Sequence, residues 1–444
     1  MKNRNEFLIL PGCDDTNRGD QALIWETVDL AKAAGFQGHY SMIARPDCGK
    51  QSKKIGIDSL AYLLPHPSTR VKIASDNRKY STTLKIIWTL RALLDLLIAL
   101  PLSKKMTRPI AQIFLSREQK KTFEVYKSAK AAFVKGGGFL HAYEGLVDVY
   151  KIYFFLYHIN LALSMHIPVY VMPNSYGPFS TSTSRWLIKK CLSKCQLVCS
   201  RESISHDVLK ENCGIDSFIS PDLAMYLKKD SAFDARRVLN EKGIILHRGK
   251  MVGITVRPYR FPGKRNAKEL YEKYKKSVCN LIKWLDDNGF FPVLIEHVFS
   301  KNFHERDLIC INEISEVLKK EKKDVMIFSD QTLDCMQMKA VYAEMDYLIG
   351  TRFHSVIFAL TENVPVIAIT YGGNKGDGIM RDLNLSNYAI QIDNMDEHSL
   401  IDCFVSLVKK QNEVKNNFVE KQNDLTNEYN KIITAIRNCS LVNA

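Results

Sequence analysis

Short apolar runs alternate with longer, helix-length stretches along most of this chain. The clearest case is 348–369, LIGTRFHSVIFALTENVPVIAI, where an apolar run ends at Gly350 and Thr351. A helix-length segment follows, and a second apolar run begins beside Pro365. Short run, turn, helix-length segment and short run in this order are typical of a parallel βαβ unit.

The same alternation recurs in both halves of the chain. It predicts strands at 7–10, 40–43, 131–134, 168–172, 197–200, 252–256, 291–295, 325–328, 347–349 and 364–369. It predicts helices at 21–34, 147–165, 184–195, 202–211, 268–288, 304–319 and 336–345. Residues 50–85 are polar and irregular, and residues 174–179 resemble a turn. Residues 224–249 are charged and lack strand signals, which favours a domain linker within this stretch.

This pattern predicts two doubly wound, Rossmann-like α/β domains that face a cleft, followed by a helical tail. The predicted domains are 1–235 and 250–395, and the tail is 396–444. Ligands of such sheets bind outside the carboxyl ends of the strands, so the turns that follow predicted strands are the candidate site.

The turn at Arg352, His354 and Ser355 is the strongest candidate. It lies where a strand meets a helix N-terminus, whose free N–H groups and dipole favour anions. A histidine can give or take a proton near neutral pH. Arg257 follows another strand of the same half, as either a surface ion pair or half of an anion fork. We therefore expect a phosphorylated or carboxylated substrate here, assisted by a glycine-rich cationic loop with Gly372, Gly373, Lys375 and Arg381.

The turns of the first half leave alternatives open. Asp20 either caps a helix or contacts a ligand, and three successive glycines either bind an anion or sugar or allow close packing. Arg201 could pair with the neighbouring Glu202. The candidates here are Asn17, Gly19, Asp20, Gly136, Gly137, Gly138 and Arg201.

Composition narrows the function. The net charge of +14 favours anionic partners, but no nucleic-acid-binding motif is present. The eleven cysteines include no C-x-x-C pair, and no secretory signal precedes the first strand, so a reducing cytoplasm is expected. Neither a dinucleotide fingerprint, a Walker motif nor a metal-binding motif occurs. Residues 86–102 are apolar but short for a span, which predicts a buried or interface helix or, alternatively, a helix on a membrane surface.

Taken in order, these residues resemble the polysaccharide pyruvyl transferase family. The resemblance spans about 10–385, and the Arg352-Phe-His354-Ser355 element is its most specific part. The other matching elements are Asn17-x-Gly19-Asp20, Gly136 to Gly138, Gly177-Pro178-Phe179, Arg201, Pro221-Asp222, Val256-Arg257, Val364-Pro365 and Lys375. The chain departs from the family pattern at Asn174-Ser175-Tyr176 and in the region 50–117. These departures affect the choice of acceptor more than the donor site.

The resemblance implies a GT-B-like fold and transfer of the enolpyruvyl group of phosphoenolpyruvate to a sugar, forming a pyruvate ketal. It requires no cofactor besides this donor substrate and no metal. We expect Arg352 and Arg257 to hold the donor anion with Lys375 assisting, and His354 to transfer protons. Ser355 and Arg201 are expected to bind substrate. The first-half turns would face a saccharide acceptor, polymeric or lipid-linked, at the inner face of the plasma membrane. The alternatives are a GT-B glycosyltransferase that uses a nucleotide sugar and a non-catalytic glycan-binding protein.

Overall fold

Each half of the chain builds its own parallel sheet. The computed structural model describes residues 5–45, 47–66, 82–143, 145–244, 249–372, 375–396 and 398–441. Within them, the strands of the first sheet are β1 (Glu6–Cys13), β2 (His39–Ala44), β3 (Ile57–Leu60), β4 (Ala129–Val134), β5 (Gly137–Ala142), β6 (Val169–Phe179), β7 (Leu197–Ser200) and β8 (Phe218–Ile219). The strands of the second are β9 (Lys250–Thr255), β10 (Phe290–Ile295), β11 (Met326–Phe328), β12 (Tyr347–Gly350), β13 (Val366–Thr370) and β14 (Ala389–Gln391).

Both sheets are doubly wound. The first has the order β3-β2-β1-β4-β6-β7-β8, with β5 pairing beside β6, and the second has the order β11-β10-β9-β12-β13-β14. Neighbouring strands are parallel, as in the pairing of Ile349 on β12 with Ile254 on β9 and with Ile367 on β13. The strand order reverses between β9 and β12, and loops at such a switch point commonly form a ligand site.

Helices connect these strands and cover the sheets. They are α1 (Arg18–Ala33), α2 (Lys50–Lys54), α3 (Thr82–Leu102), α4 (Arg108–Ala111), α5 (Arg117–Ser128), α6 (Leu146–Ser164), α7 (Ser182–Leu192), α8 (Ser203–Cys213), α9 (Ala235–Glu241), α10 (Ala267–Asp287), α11 (Asp307–Lys320), α12 (Cys335–Ala343), α13 (Phe353–Leu360), α14 (Lys375–Asp382), α15 (Ser399–Lys409) and α16 (Gln411–Leu441). Short 3₁₀ turns lie at Gln112–Phe114, Leu223–Met225, Ser386–Tyr388 and Ile392–Asn394. Among the helices described, none is both long and apolar enough to cross a membrane.

Local sequence signals account for several helix ends. The side chains of Ser116 and Gln119 form a reciprocal capping box at the start of α5, and Asp334 and Gln337 do the same for α12. Helix α8 ends at Gly214 in the left-handed conformation, which glycine adopts without steric cost. Strands β12 and β13 are buried along their whole length, which explains their uninterrupted apolar sequences.

The chain divides into two units. The first comprises Met1–Asp15, Leu23–Leu223 and Tyr429–Ala444, and the second comprises Thr16–Ala22 and Ala224–Glu428. The start of α1 therefore belongs with the second unit, and the end of α16 belongs with the first. Near that end, Arg437 Nη2 donates to the carbonyl of Ala33 over 2.5 Å. The prediction of two parallel-sheet α/β domains and a C-terminal helical segment is confirmed.

Several local predictions are wrong. Residues 174–179 continue β6 rather than forming a turn, because they pair with β5, a strand that the pattern did not predict. The expected loop after β13 becomes helix α14 from Lys375 onward, and Gly373 lies outside the described residues. Part of the 50–85 stretch, expected to be irregular, forms α2 and β3. The expected linker 224–249 contains the short helix α9, and its role as a linker stays a prediction; residues 67–81 and 245–248 are not described.

Candidate functional site

Hydrogen bonds from buried hydroxyl groups hold the turn between β12 and α13 in place. The hydroxyls of Ser355 and Thr255 share a 2.7 Å hydrogen bond, and Ser355 Oγ donates to the carbonyl of Arg352 over 2.6 Å. Tyr274 Oη and Thr351 Oγ1 lie 2.9 Å apart. Ser355 is fully buried, so its contacts hold α13 against β9 and position the residues before it.

The Arg352 side chain lies in a buried ion pair. Its Nε donates to Asp307 Oδ1 over 2.7 Å, and its Nη2 approaches the same oxygen at 2.7 Å. The other oxygen of Asp307 accepts from the backbone N–H groups of His297 and Val298. Burial raises the pKa of Asp307 to about 6, although Arg352 opposes this shift. Asp307 therefore joins the turn after β12 to the loop after β10.

Arg257 and Arg352 converge on one carboxylate oxygen. Glu305 Oε2 lies 3.1 Å from Arg257 Nη2 and 3.4 Å from Arg352 Nη1. Burial opposes the charge of Glu305, but the two guanidinium groups hold the pKa of this carboxyl below its usual value. Arg257 also lies 4.6 Å from the ring centre of Tyr371, in cation–π geometry. The two arginines thus form a fork whose geometry accommodates a carboxylate.

His354 lies in the first turn of α13 between a lysine and a glycine. Lys375 Nζ at the start of α14 is 3.4 Å from His354 Nε2. On the other side, a Cβ built on Gly19 would lie 2.0 Å from His354 Nδ1, far inside ordinary contact. Only glycine permits this approach, so Gly19 and His354 occupy adjacent parts of one site.

The segment that carries Gly19 belongs to the second unit and packs against the loop after β10. Asn17 forms an antiparallel bridge with Val298, and Phe299 N donates to Thr16 O over 2.8 Å. The guanidinium of Arg18 lies 4.7 Å from the ring centre of Phe299. Asn17 Oδ1 accepts from Gly19 N, and Asn17 Nδ2 donates to Asp20 Oδ2 over 3.2 Å. These contacts hold Gly19 beside His354, with Asn17 and Asp20 adjacent to it in the chain, whereas their sequence position places them with the first domain.

The family model for polysaccharide pyruvyl transferases matches residues 17–373, which include Arg257, Arg352 and His354 but end just before Lys375. The chain belongs to this family. It is also 27% identical over 273 residues to the amylovoran biosynthesis protein AmsJ of Erwinia amylovora, a match that covers 59% of this chain and 61% of that protein. The chain thus matches less than two thirds of the length of this relative.

Solved structures with low sequence identity share the fold of this pyruvyl transferase family member. A UDP-N-acetylglucosamine 2-epimerase described as putative, from Listeria monocytogenes, gives a TM-score of 0.57 at 11% identity, covering 99% of this chain and 98% of that one. The UDP-GlcNAc 2-epimerase of Neisseria meningitidis gives a TM-score of 0.51 at 12% identity, and the match covers 97% of this chain and 99% of that one. A trehalose 6-phosphate synthase of Burkholderia multivorans gives a TM-score of 0.51 at 10% identity, and the match covers 99% of this chain and 100% of that one. These similarities support the GT-B-like fold alone.

The remaining predicted residues of this family member lie in its first unit. Arg201 is fully buried, where its Nη1 contacts Asp222 at 2.6 Å and its Nε donates to Ser175 Oγ. This ion pair holds the end of β7 to the chain that precedes the 3₁₀ turn at Leu223–Met225. Gly136 is buried against the carbonyl of Pro173, while Gly138 is exposed on β5. The predicted substrate contacts of Arg201 and of Gly136 to Gly138 stay predictions.

Several site residues escaped the sequence reasoning. Glu305 and Asp307 fall in the first turn of the predicted helix 304–319, but α11 begins only at Asp307. His297 is buried; its Nδ1 lies 3.0 Å from Tyr342 Oη, and its Nε2 has no hydrogen-bond partner among the described residues. Burial and then the nearby His354 and Arg352 lower the pKa of His297. One sequence signal could have indicated His297, Glu305 and Asp307. They follow the predicted strand 291–295, at the same edge of the sheet as Arg257 and Arg352.

The acidic side chains described next to Arg352 in the candidate site are paired with arginines. Among the residues that the structure describes, no group of three or more His, Cys, Asp or Glu side chains could hold a metal ion. Glu305 and Asp307 instead face guanidinium groups. The site therefore consists of an arginine fork, a histidine–lysine pair and a buried carboxylate that orients one arm of the fork.

Proposed function

We propose that this protein transfers the enolpyruvyl group of phosphoenolpyruvate to two hydroxyls of a sugar, forms a pyruvate ketal and releases phosphate. The observation that supports this most is the convergence of Arg257 and Arg352 on a single carboxylate oxygen, 3.1 and 3.4 Å away. Phosphoenolpyruvate carries a carboxylate and a phosphate, and membership of the pyruvyl transferase family makes it the natural donor.

In this proposal the donor carboxylate replaces the Glu305 side chain between the two arginines. Glu305 is suited to leave because its side chain is 47% exposed, whereas the Asp307 side chain is fully buried and stays with Arg352. Hydrogen bonds between charged partners contribute about 1.5–3 kcal/mol each. Arg352 would therefore bind the donor while Asp307 keeps its guanidinium in one orientation.

His354 is the proposed proton carrier, with Lys375 next to the donor phosphate. Adding the first sugar hydroxyl across the donor double bond forms a C–O bond and delivers one proton to the methylene carbon, which becomes a methyl group. The second hydroxyl forms the other C–O bond as the bond to phosphate breaks, and its proton leaves with the phosphate. A positioned acid or base accelerates such steps by about 10²–10⁴.

The acceptor is proposed to be a sugar of a cell-surface polysaccharide or of its lipid-linked precursor, reached at the inner face of the plasma membrane. The similarity to a protein of amylovoran biosynthesis supports a polysaccharide setting. Asn17 and Asp20 bring an amide and a carboxylate close to the His354 turn, and both groups can hydrogen-bond sugar hydroxyls.

The test is incubation of the protein with phosphoenolpyruvate and a panel of galactosides, mannosides and glucosides. We expect phosphate release together with a mass gain on one sugar that corresponds to a ketal-linked pyruvate. His354→Ala should lower turnover at least about 100-fold with an unchanged circular dichroism spectrum. His398→Ala is the matched control, because His398 is exposed and makes no side-chain capping hydrogen bond.

Two results would contradict the proposal. Near wild-type turnover of His354→Ala would remove the proton-transfer role of this residue. Binding of a nucleotide sugar without binding of phosphoenolpyruvate would favour the glycosyltransferase alternative, whose fold the structure shares.

A further inference from the structure

Helix α3 exposes an unusually large apolar surface in the first unit. Seven of its large apolar side chains are more than a third exposed, among them Leu90, Leu93, Leu94 and Leu97. The surface continues into the short helix α4 and the 3₁₀ turn behind it, where Ile113 and Phe114 are 69% and 66% exposed. Together these side chains leave on the order of 1,000 Å² of apolar surface in water, above the few hundred Å² of the largest patch on a typical monomer.

The polarity of α3 is inverted relative to an ordinary surface helix. At 100° per residue, the exposed apolar side chains from Ile86 to Leu100 cover an arc of about 140°. The charged residue Asp95 lies on the opposite, buried side with Ala99. The carbonyl of Ala99 accepts a hydrogen bond from Tyr157 Oη over 3.0 Å, which fixes this side against α6. The arrangement of α3 therefore directs its apolar arc outward.

Basic residues surround this arc. Lys85 and Arg91 are exposed and fall at its two edges, and Lys104 and Lys105 follow the end of α3. Residues 82–117 contain six Lys and Arg against one acidic residue, the buried Asp95. Apolar side chains bordered by cations are complementary to a bilayer surface, where acyl chains lie beneath anionic headgroups.

We propose that α3, together with α4 and the turn Gln112–Phe114, docks this protein on an anionic membrane surface, with the helix lying parallel to the bilayer plane. A second copy of the chain is the less suitable occupant, because pairing this face with itself would bring two positively charged rims together. The inference is independent of the transfer reaction, since it rests on the exposed surface of residues 82–117 and uses no residue of the candidate site.

Flotation of the full-length protein with vesicles, in the absence of donor and acceptor, tests the proposal. We expect binding to phosphatidylcholine vesicles that contain phosphatidylglycerol, weaker binding to phosphatidylcholine alone, and weakening of the anionic binding as salt is raised. The double variant Leu93→Glu/Leu97→Glu should lower the partition coefficient at least about tenfold. Both positions are exposed, so the substitutions should leave the circular dichroism spectrum unchanged.

The matched control is Ile219→Glu/Val419→Glu, which places the same charges at exposed apolar positions elsewhere. It should retain wild-type partitioning. Failure of the wild-type protein to float, or equal flotation of the α3 variant, would overturn the proposal. Conversion of a dimer to a monomer by the α3 variant, seen by light scattering without vesicles, would overturn it in favour of a second copy. None of these outcomes measures turnover, so each is separable from the proposed transfer reaction.

Discussion

The contact between Gly19 and His354 gives the sharpest prediction. In Gly19→Ala the new methyl group would lie 2.0 Å from Nδ1, 2.3 Å from Cγ and 2.5 Å from Cβ of His354. Rotation of the imidazole cannot relieve the overlap with Cβ, so the segment at Gly19 or α13 must shift by about 1 Å. Overpacking of this kind costs about 1–3 kcal/mol of stability, and a 1 Å displacement of a reacting group can lower turnover about 100-fold.

A double-mutant cycle isolates this contact. In a His354→Gly background the overlapping atoms are absent, so Gly19→Ala should become neutral or stabilise by up to about 1 kcal/mol, since alanine favours a helix over glycine. The expected coupling energy, the difference between the two effects of Gly19→Ala, is therefore about 1–4 kcal/mol. Urea unfolding of the four proteins measures this energy, and phosphate release measures turnover of Gly19→Ala. Equal destabilisation of Gly19→Ala in both backgrounds would refute the close approach.

Three other predictions concern titratable side chains. Glu305→Gln should lower the KM for phosphoenolpyruvate several-fold, because it removes the carboxylate that competes for the arginine fork; an unchanged KM would contradict this role. Asp307→Asn should destabilise the protein by about 3–5 kcal/mol at pH 7.5 because Arg352 loses its buried partner, and urea unfolding would measure the loss. Burial lowers the pKa of His158 to about 3, so stability should be fully present above pH 6.5 and decline as the pH falls, by about 2 kcal/mol at pH 5. His158→Leu should flatten this decline in unfolding midpoints measured between pH 7 and pH 5, and an unchanged slope would assign it to other groups.

The sequence alone determined the architecture. Buried parallel strands require uninterrupted apolar runs, and the helices between them require longer amphipathic stretches, so the two sheets could be predicted. The Arg352–His354 turn could also be predicted, because a strand–turn–helix junction is a local feature of the chain. Where pairing with a distant strand decided the conformation, as for residues 174–179 beside β5, local turn signals predicted the wrong structure.

Only the tertiary structure decided which side chains meet. It placed Asp307 and Glu305 against Arg352, although they lie more than forty residues apart in the chain. It brought Gly19 against His354 across an even longer separation, because Asn17 pairs with Val298 in the second unit. It also turned the apolar arc of α3 outward, which hydrophobicity alone could not distinguish from a buried helix. Each outcome depends on packing between residues that are distant in the sequence, and the spacing of residues along the chain does not predict such contacts.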